Sequence, residues 1–190
     1  MKSRPCAVCG RGFVICRPMQ TVCGRACANK VPRLMRKAAL AAKRKERVDD
    51  RAKREAMKTT KELRPEAQTA FNRYIRLRDA GLPCFDCGKP IEPNKLGGSA
   101  DAGHFLGRGG HPNLALEEDN CFIERKNCNR AGGATDAAKR TGAIARIGLQ
   151  HVEALEADQT PRHYKADDYR RLRDLYKQKA KLLLDARRKS

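Results

Sequence analysis

The sequence predicts a mainly helical α+β protein assembled from small modules rather than around one large core. Of its 190 residues 40% are apolar and 5% aromatic, while 34% are charged, so little apolar surface is available for a single core. Nine cysteines occur mostly in close pairs, which predicts small modules stabilised by metal. Two segments rich in Ala, Lys, Arg and Glu predict long basic helices.

The charge of the chain predicts a polyanionic partner. The formal net charge is +20 and the pI is near 10.0, a combination for which nucleic acid is the first candidate. No apolar run is long enough for a transmembrane helix or a secretory signal, so we expect no membrane association and a cytoplasmic location. Thiols stay reduced in that compartment, and the paired cysteines are therefore interpreted as metal ligands rather than disulfides.

Residues 1–30 are predicted to form a zinc-binding module. Two cysteine pairs, with two residues inside the first pair and three inside the second, supply the four soft ligands that tetrahedral Zn²⁺ prefers. A four-cysteine site is closed, so a structural role is expected. The remaining cysteine, Cys16, is expected to be a small buried apolar residue. The predicted ligands are Cys6, Cys9, Cys23 and Cys27.

Residues 31–64 are predicted to form one long basic helix that runs to Leu63 and is ended by Pro65. Between residues 28 and 64 there are 14 Lys/Arg against 5 Asp/Glu, and large apolar residues are few. The helix is either a solvated spacer or an arm that follows DNA phosphates, and the one-sided charge favours the arm. The expected DNA contacts on it are Lys43, Arg44, Lys45, Arg47, Arg51, Lys53 and Arg54.

Residues 65–135 are predicted to form the central domain. A helix from about Glu66 carries apolar residues at helical spacing and is expected to pack in a core. Cys84 and Cys87 then have the spacing of a second zinc-binding turn, with Cys128 as their partner. The fourth ligand stays open between Cys121 and none, because Arg125 stands where a second close-spaced cysteine would be. The alternative is a lapsed site held by packing.

Four polar residues in the same domain have the layout of a ββα-metal nuclease: Asp101, His104, Asn120 and Asn129. We expect a strand that ends in the histidine, a loop, a second strand opened by Asn120, and a helix whose start carries Asn129. Phosphodiester hydrolysis needs a base for water, and neutral imidazole suits that role near pH 7. It also needs a hard ion, Mg²⁺ or Mn²⁺, for which carboxylate and amide oxygens are suitable ligands.

The loop and the C-terminal region complete the predicted organisation. Arg108, in a glycine-rich loop, is expected to bind phosphate, whereas His111 and Asn113 are expected to be ordinary surface residues. Residues 136–190 are predicted to contain an amphipathic helix over 141–157 and a final basic helix over 165–188. No heptad seam is clear, so a homodimer is left open.

The chain resembles the NinG, or Rap, recombination proteins of lambda-like bacteriophages, which belong to the HNH nucleases. The resemblance covers nearly the full length and rests on the spacing of the first four cysteines, the basic helix, the Cys84–Cys87 turn, the segment from Asp101 to His104, Asn120, the Cys128–Asn129 pair, Arg146-Ile147-Gly148 and the basic last helix. Two positions depart from the family pattern, which has histidine at Phe122 and cysteine at Arg125.

The resemblance implies a structure-specific DNA endonuclease that acts on D-loops and Holliday junctions in the bacterial host cytoplasm. His104 would be the general base, Asn120 would orient the loop and the base, and Asp101 and Asn129 would hold the catalytic ion. Because Arg125 replaces a ligand, a non-catalytic, zinc-stapled DNA-binding recombination mediator is the alternative. A zinc-ribbon transcription or RNA-binding factor has less support, since no aromatic stacking surface or recognition helix stands out.

Overall fold

The computed structural model describes residues 2–92, 99–130 and 132–189, and the chain divides after Met57 into two compact units. Both units contain helices and one small two-stranded antiparallel sheet, which agrees with the predicted α+β class. No helix in the described ranges is long and apolar enough to cross a membrane.

The N-terminal unit is built around its cysteines. Strands β1 (Ser3–Pro5) and β2 (Gly12–Val14) pair with each other, and the short helix α1 (Arg25–Ala28) precedes the long helix α2 (Val31–Met57). In the part of this unit that the structure describes, the buried residues are Cys6 and Cys27 alone. Cys16 is exposed, so the prediction that it is buried is wrong. An ordinary apolar core is missing from these residues, and metal binding by the cysteines would take its place.

The basic helix ends earlier than the sequence predicted. It stops at Met57, and a new helix, α3 (Thr60–Arg78), runs through Pro65 instead of starting after it. A capping box at Thr59 explains the boundary, because the Thr59 N–H and hydroxyl both donate to the Glu62 carboxylate at 2.8 Å. The cap fixes the helix start, and the proline is accommodated within the helix.

The C-terminal unit places a two-stranded sheet between two pairs of helices. Strand β3 (Ala100–His104) pairs with β4 (Cys121–Arg125) so that Asp101 lies opposite Glu124 and His104 lies opposite Cys121. One face packs on α3 and the final helix α6 (Ala166–Lys189), in a core that includes Phe71 and Tyr176. The other face carries Phe122 and packs in a second core with Phe85, Ala143 and Val152.

The predicted helix over 141–157 is two helices in the structure. Helix α4 (Asp136–Ile147) and helix α5 (Leu149–Ala157) are separated by Gly148, whose φ of 85° is readily adopted only by glycine. The first helix begins earlier than predicted because the Thr135 hydroxyl accepts the Ala138 N–H at 3.2 Å. The amphipathic pattern is shared by both helices, and this is why the sequence shows them as one.

Helix α4 lies directly against the turn that carries Cys84. A side chain at Gly142 would place its Cβ 1.9 Å from the Phe85 carbonyl oxygen, so only glycine permits this approach. Arg146 donates to the Pro83 carbonyl at 2.6 Å on the other side of the cysteine. These two contacts fix the helix to both neighbours of Cys84.

Candidate functional site

The first cysteine group is arranged to hold a metal ion. The sulfur atoms of Cys6, Cys9, Cys23 and Cys27 all lie within 4.8 Å of one another. Hydrogen bonding to the Cys27 thiol raises the pKa of Cys23 to about 12, since sulfurs this close disfavour a further thiolate. A bound cation would remove that penalty by stabilising the thiolates. Four soft donors at this spacing fit tetrahedral Zn²⁺.

The second cysteine group brings three sulfurs together. Cys84, Cys87 and Cys128 also have their sulfur atoms within 4.8 Å of one another, with Cys128 at 3.5 Å from Cys87. The Arg125 backbone N–H donates to Cys84 Sγ at 3.3 Å. Burial acts to raise the pKa of Cys87, but the Lys89 backbone, the neighbouring thiols and the Arg125 side chain together lower it. The group fits a zinc ion held by three protein thiolates.

Cys121, the candidate fourth ligand, lies elsewhere. Its side chain shares a face of the sheet with His104, and its Sγ is 3.8 Å from His104 Nδ1. Burial raises its pKa far above the usual range, which keeps the sulfur a neutral thiol. A fully buried thiol beside an imidazole is not positioned to complete the group at Cys84.

His104 lies inside the protein. It is 8% exposed, and its Nε2–H donates to the Ala115 carbonyl at 3.0 Å, with Nδ1 toward Cys121. Desolvation lowers its pKa to about 4, so the imidazole is neutral at pH 7. Side chains three positions apart on a strand point to opposite faces, and Asp101 is therefore on the other side of the sheet. The structure does not bring these two predicted residues together.

Asp101 and Asn129 do lie together. The Asn129 side-chain amide donates to Asp101 Oδ2 at 3.2 Å, near the surface. Asn129 is in the turn after β4, before α4 begins at Asp136, and so it is not at the start of a helix as predicted. The pair leaves the second Asp101 oxygen and the Asn129 carbonyl oxygen as donors for a hard cation.

Asn120 is fully buried and holds the two ends of the loop that follows His104. Its Oδ1 accepts the Leu106 N–H at 2.8 Å, and its Nδ2 donates to the carbonyls of Leu106 at 3.0 Å and Leu114 at 3.1 Å. Arg108, on the same loop, is exposed to solvent. The side chain therefore positions the loop.

One residue of this site is not among those predicted from the sequence. Glu124 lies opposite Asp101 on the paired strand and is 0% exposed. A charged residue directly after the apolar segment from Cys121 to Ile123 is the signal that could have identified it.

The basic residues expected to meet DNA are accessible. No residue of α2 is buried, so the predicted contacts from Lys43 to Arg54 all reach solvent. Basic side chains on an exposed helix can approach a phosphate backbone without rearrangement of a core.

These features define a strongly basic, mainly helical protein with two cysteine groups able to hold metal. A family model described as "Bacteriophage Lambda NinG protein" matches residues 1–186. The chain belongs to the NinG family.

Named relatives agree with this assignment. Over 122 residues, or 64% of this chain, it is 31% identical to Protein ninG of Salmonella phage P22 and 30% identical to Protein ninG of Escherichia phage lambda. The alignments span 58% and 57% of those proteins, so this chain covers less than two thirds of their length. No solved structure matches the chain.

Proposed function

We propose that this protein is a metal-dependent DNA endonuclease that cleaves branched recombination intermediates such as D-loops and Holliday junctions. The observation that carries the proposal is the Asp101–Asn129 pair, which sets oxygen donors side by side at the edge of the hairpin. The motif resemblance to HNH nucleases and the order of strand, loop, strand and helix support the same reaction class.

In this proposal Asp101 and Asn129 hold Mg²⁺ or Mn²⁺, and the ion would polarise the phosphate and stabilise the leaving oxygen. Asn120 keeps the loop in place, so that exposed Arg108 can bind another phosphate of the DNA strand that is cleaved. For His104 to act as general base on the same phosphate, its ring must exchange the Ala115 carbonyl for a water molecule, and the ring or the ion must move so that both reach one face of the hairpin. The neutral form at pH 7 is the form that accepts a proton.

DNA binding is assigned to the basic surface. The net charge of +20 and the exposed cations of α2 supply the phosphate contacts, and binding should weaken steeply with salt. Symmetric cleavage of a four-way junction needs two active sites, so the proposal includes a homodimer on that substrate. Sedimentation of the protein with and without a junction tests this part.

The central test measures cleavage of a four-way junction, a D-loop and linear duplex DNA by zinc-loaded protein with Mg²⁺ or Mn²⁺. Asp101→Asn should abolish cleavage while junction binding persists, because the substitution removes a ligand charge and keeps the fold. Asp119→Asn, which changes an exposed carboxylate in the same domain, is the matched control and should cleave normally. Equal cleavage by Asp101→Asn and the unchanged protein would overturn the proposal.

The second candidate is a non-catalytic, zinc-stapled DNA-binding recombination mediator. The burial of His104, with both ring nitrogens directed at protein atoms, favours it. It predicts tight, salt-sensitive junction binding with no metal-dependent cleavage by any variant. His104→Ala separates the two candidates: loss of cleavage with retained binding supports the nuclease, and absence of cleavage in the unchanged protein supports the mediator.

A further inference from the structure

Glu124 is a buried carboxylate that lacks ordinary partners. It is 0% exposed, and neither of its oxygens has a hydrogen-bond donor. Lys139 of α4 has its Nζ 3.9 Å from Oε1, a distance at the outer limit of an ion pair. A buried charge is normally paired and hydrogen-bonded, because its desolvation is otherwise very unfavourable.

The residues around the Glu124 carboxylate include two further acidic side chains. Its Oε2 lies over Gly103, where an added Cβ would be 1.5 Å away, so the absence of a side chain there creates the space it occupies. Asp86, in the turn between two zinc-ligand cysteines, has a buried Oδ1 that also lacks a hydrogen-bond partner. Asp101 lies opposite Glu124 on the paired strand. Asp86 interacts with the Glu124 side chain and Asp101 is its cross-strand neighbour, so the two aspartates both lie near Glu124.

Either a bound proton or a bound cation can offset the cost of burying the Glu124 carboxylate. Burial raises the pKa of Glu124 to about 9, with Asp86 adding to the effect, so a proton can neutralise it. A divalent cation does the same and, in addition, gives partners to the unsatisfied oxygens of both Glu124 and Asp86. A proton shared between Glu124 and Asp86 satisfies one oxygen of each residue and leaves the second Glu124 oxygen without a partner. A cation is favoured over a proton because it can contact both Glu124 oxygens and the Asp86 oxygen.

We propose that Glu124 and Asp86 form, together with Asp101, a binding site for a hard divalent cation such as Mg²⁺ or Mn²⁺. The three carboxylates do not all have an oxygen within 4.8 Å of one another, in contrast to the cysteine groups. The site therefore uses bridging water or a side-chain rotation of Asp101, as suits Mg²⁺, which keeps several waters when bound. A part for this ion in cleavage rests on the proposed function, whereas its binding does not.

The test measures Mn²⁺ binding by electron paramagnetic resonance on zinc-saturated protein from which excess zinc has been removed, so that the cysteines are already occupied. Glu124→Gln keeps the size of the side chain and removes the carboxylate that would bind the ion. We expect it to weaken Mn²⁺ binding by about 10- to 100-fold. Glu153→Gln, an exposed change on α5, is the control and should bind Mn²⁺ normally. The rise in unfolding temperature that Mg²⁺ gives the unchanged protein should be absent from Glu124→Gln.

Equal Mn²⁺ affinity in Glu124→Gln and the unchanged protein, or no Mn²⁺ binding by either, would overturn the inference. If Glu124→Gln does not fold, Asp86→Asn repeats the measurement, and unchanged affinity there overturns it as well. Glutamate-dependent Mn²⁺ binding without DNA cleavage would refute the proposed function and leave the site standing. Cleavage at the normal rate by Glu124→Gln, with unchanged Mn²⁺ binding, would refute the site and leave the nuclease standing.

Discussion

Replacement of Asn120 by alanine is expected to lower the free energy of unfolding of the C-terminal unit by about 3–5 kcal/mol. The side chain is fully buried and makes three hydrogen bonds, one with the Leu106 N–H and two with the carbonyls of Leu106 and Leu114. Each buried polar group left without a partner costs about 1–3 kcal/mol, and the lower part of the summed range applies where water can enter the small cavity.

The measurement is urea unfolding of zinc-saturated protein followed by circular dichroism. Asn127→Ala, an exposed amide in the turn after β4, is the control and should change the free energy by less than about 0.5 kcal/mol. A loss below about 1 kcal/mol for Asn120→Ala would refute the account of Asn120 as the residue that holds the loop.

Asn120→Asp provides an independent check through pH. The new carboxylate keeps the acceptor for the Leu106 N–H but would face two carbonyl oxygens, which raises its folded-state pKa above that of an unfolded aspartate. The folded state then binds the proton more tightly, so the stability of this variant should fall as pH rises from 4 to 7 relative to the unchanged protein. A difference in unfolding free energy between Asn120→Asp and the unchanged protein that does not vary with pH would contradict the assignment of the two carbonyls as partners of Asn120.

The pKa of His104 is lowered to about 4, so on acidification the unfolded state takes up a proton before the folded state does, and about 3 kcal/mol of stability should be lost between pH 6.5 and 4. His104→Gln should lose less stability over that range in urea unfolding. An equal loss would refute the lowered pKa of His104. Gly103→Ala should destabilise by about 1–3 kcal/mol, and adding Glu124→Ala should recover part of the loss in urea unfolding. Metal analysis should find zinc in both cysteine groups, and Cys6→Ser should remove it from the first alone; loss from both would contradict independent sites.

The elements that the sequence predicted well are those with a strong local signal. The cysteine pairs came together as their spacing indicated, and the final helix lies almost where its apolar pattern placed it. Helix boundaries failed where two local signals competed. Pro65 indicated a break, but the capping box at Thr59 determined it, and Gly148 divided a pattern that was continuous in its apolar residues.

The candidate site was only partly predictable because it depends on strand register. Asp101 and His104 are neighbours in sequence, yet strand alternation sends them to opposite faces of the hairpin. The pairing of Asp101 with Glu124 is a contact between strands separated by a loop, and no local pattern encodes it. The burial of His104 likewise depends on α3, since the ring lies near Phe71 of that helix, with the two ring centroids 6.2 Å apart.

The close approach of Gly142 to Phe85 means that a residue without a ligand atom can influence metal binding at the second cysteine group. The helix and the cysteine turn are in contact on both sides of Cys84, so neither can move without the other. A methyl group at Gly142 would displace the Phe85 backbone and, with it, the thiolate geometry of the second cysteine group. Because Lys139 lies on the same helix, the displacement would also reach the charge beside Glu124. A change in helix packing at Gly142 would therefore alter both the position of the Cys84 sulfur and the position of Lys139 beside Glu124.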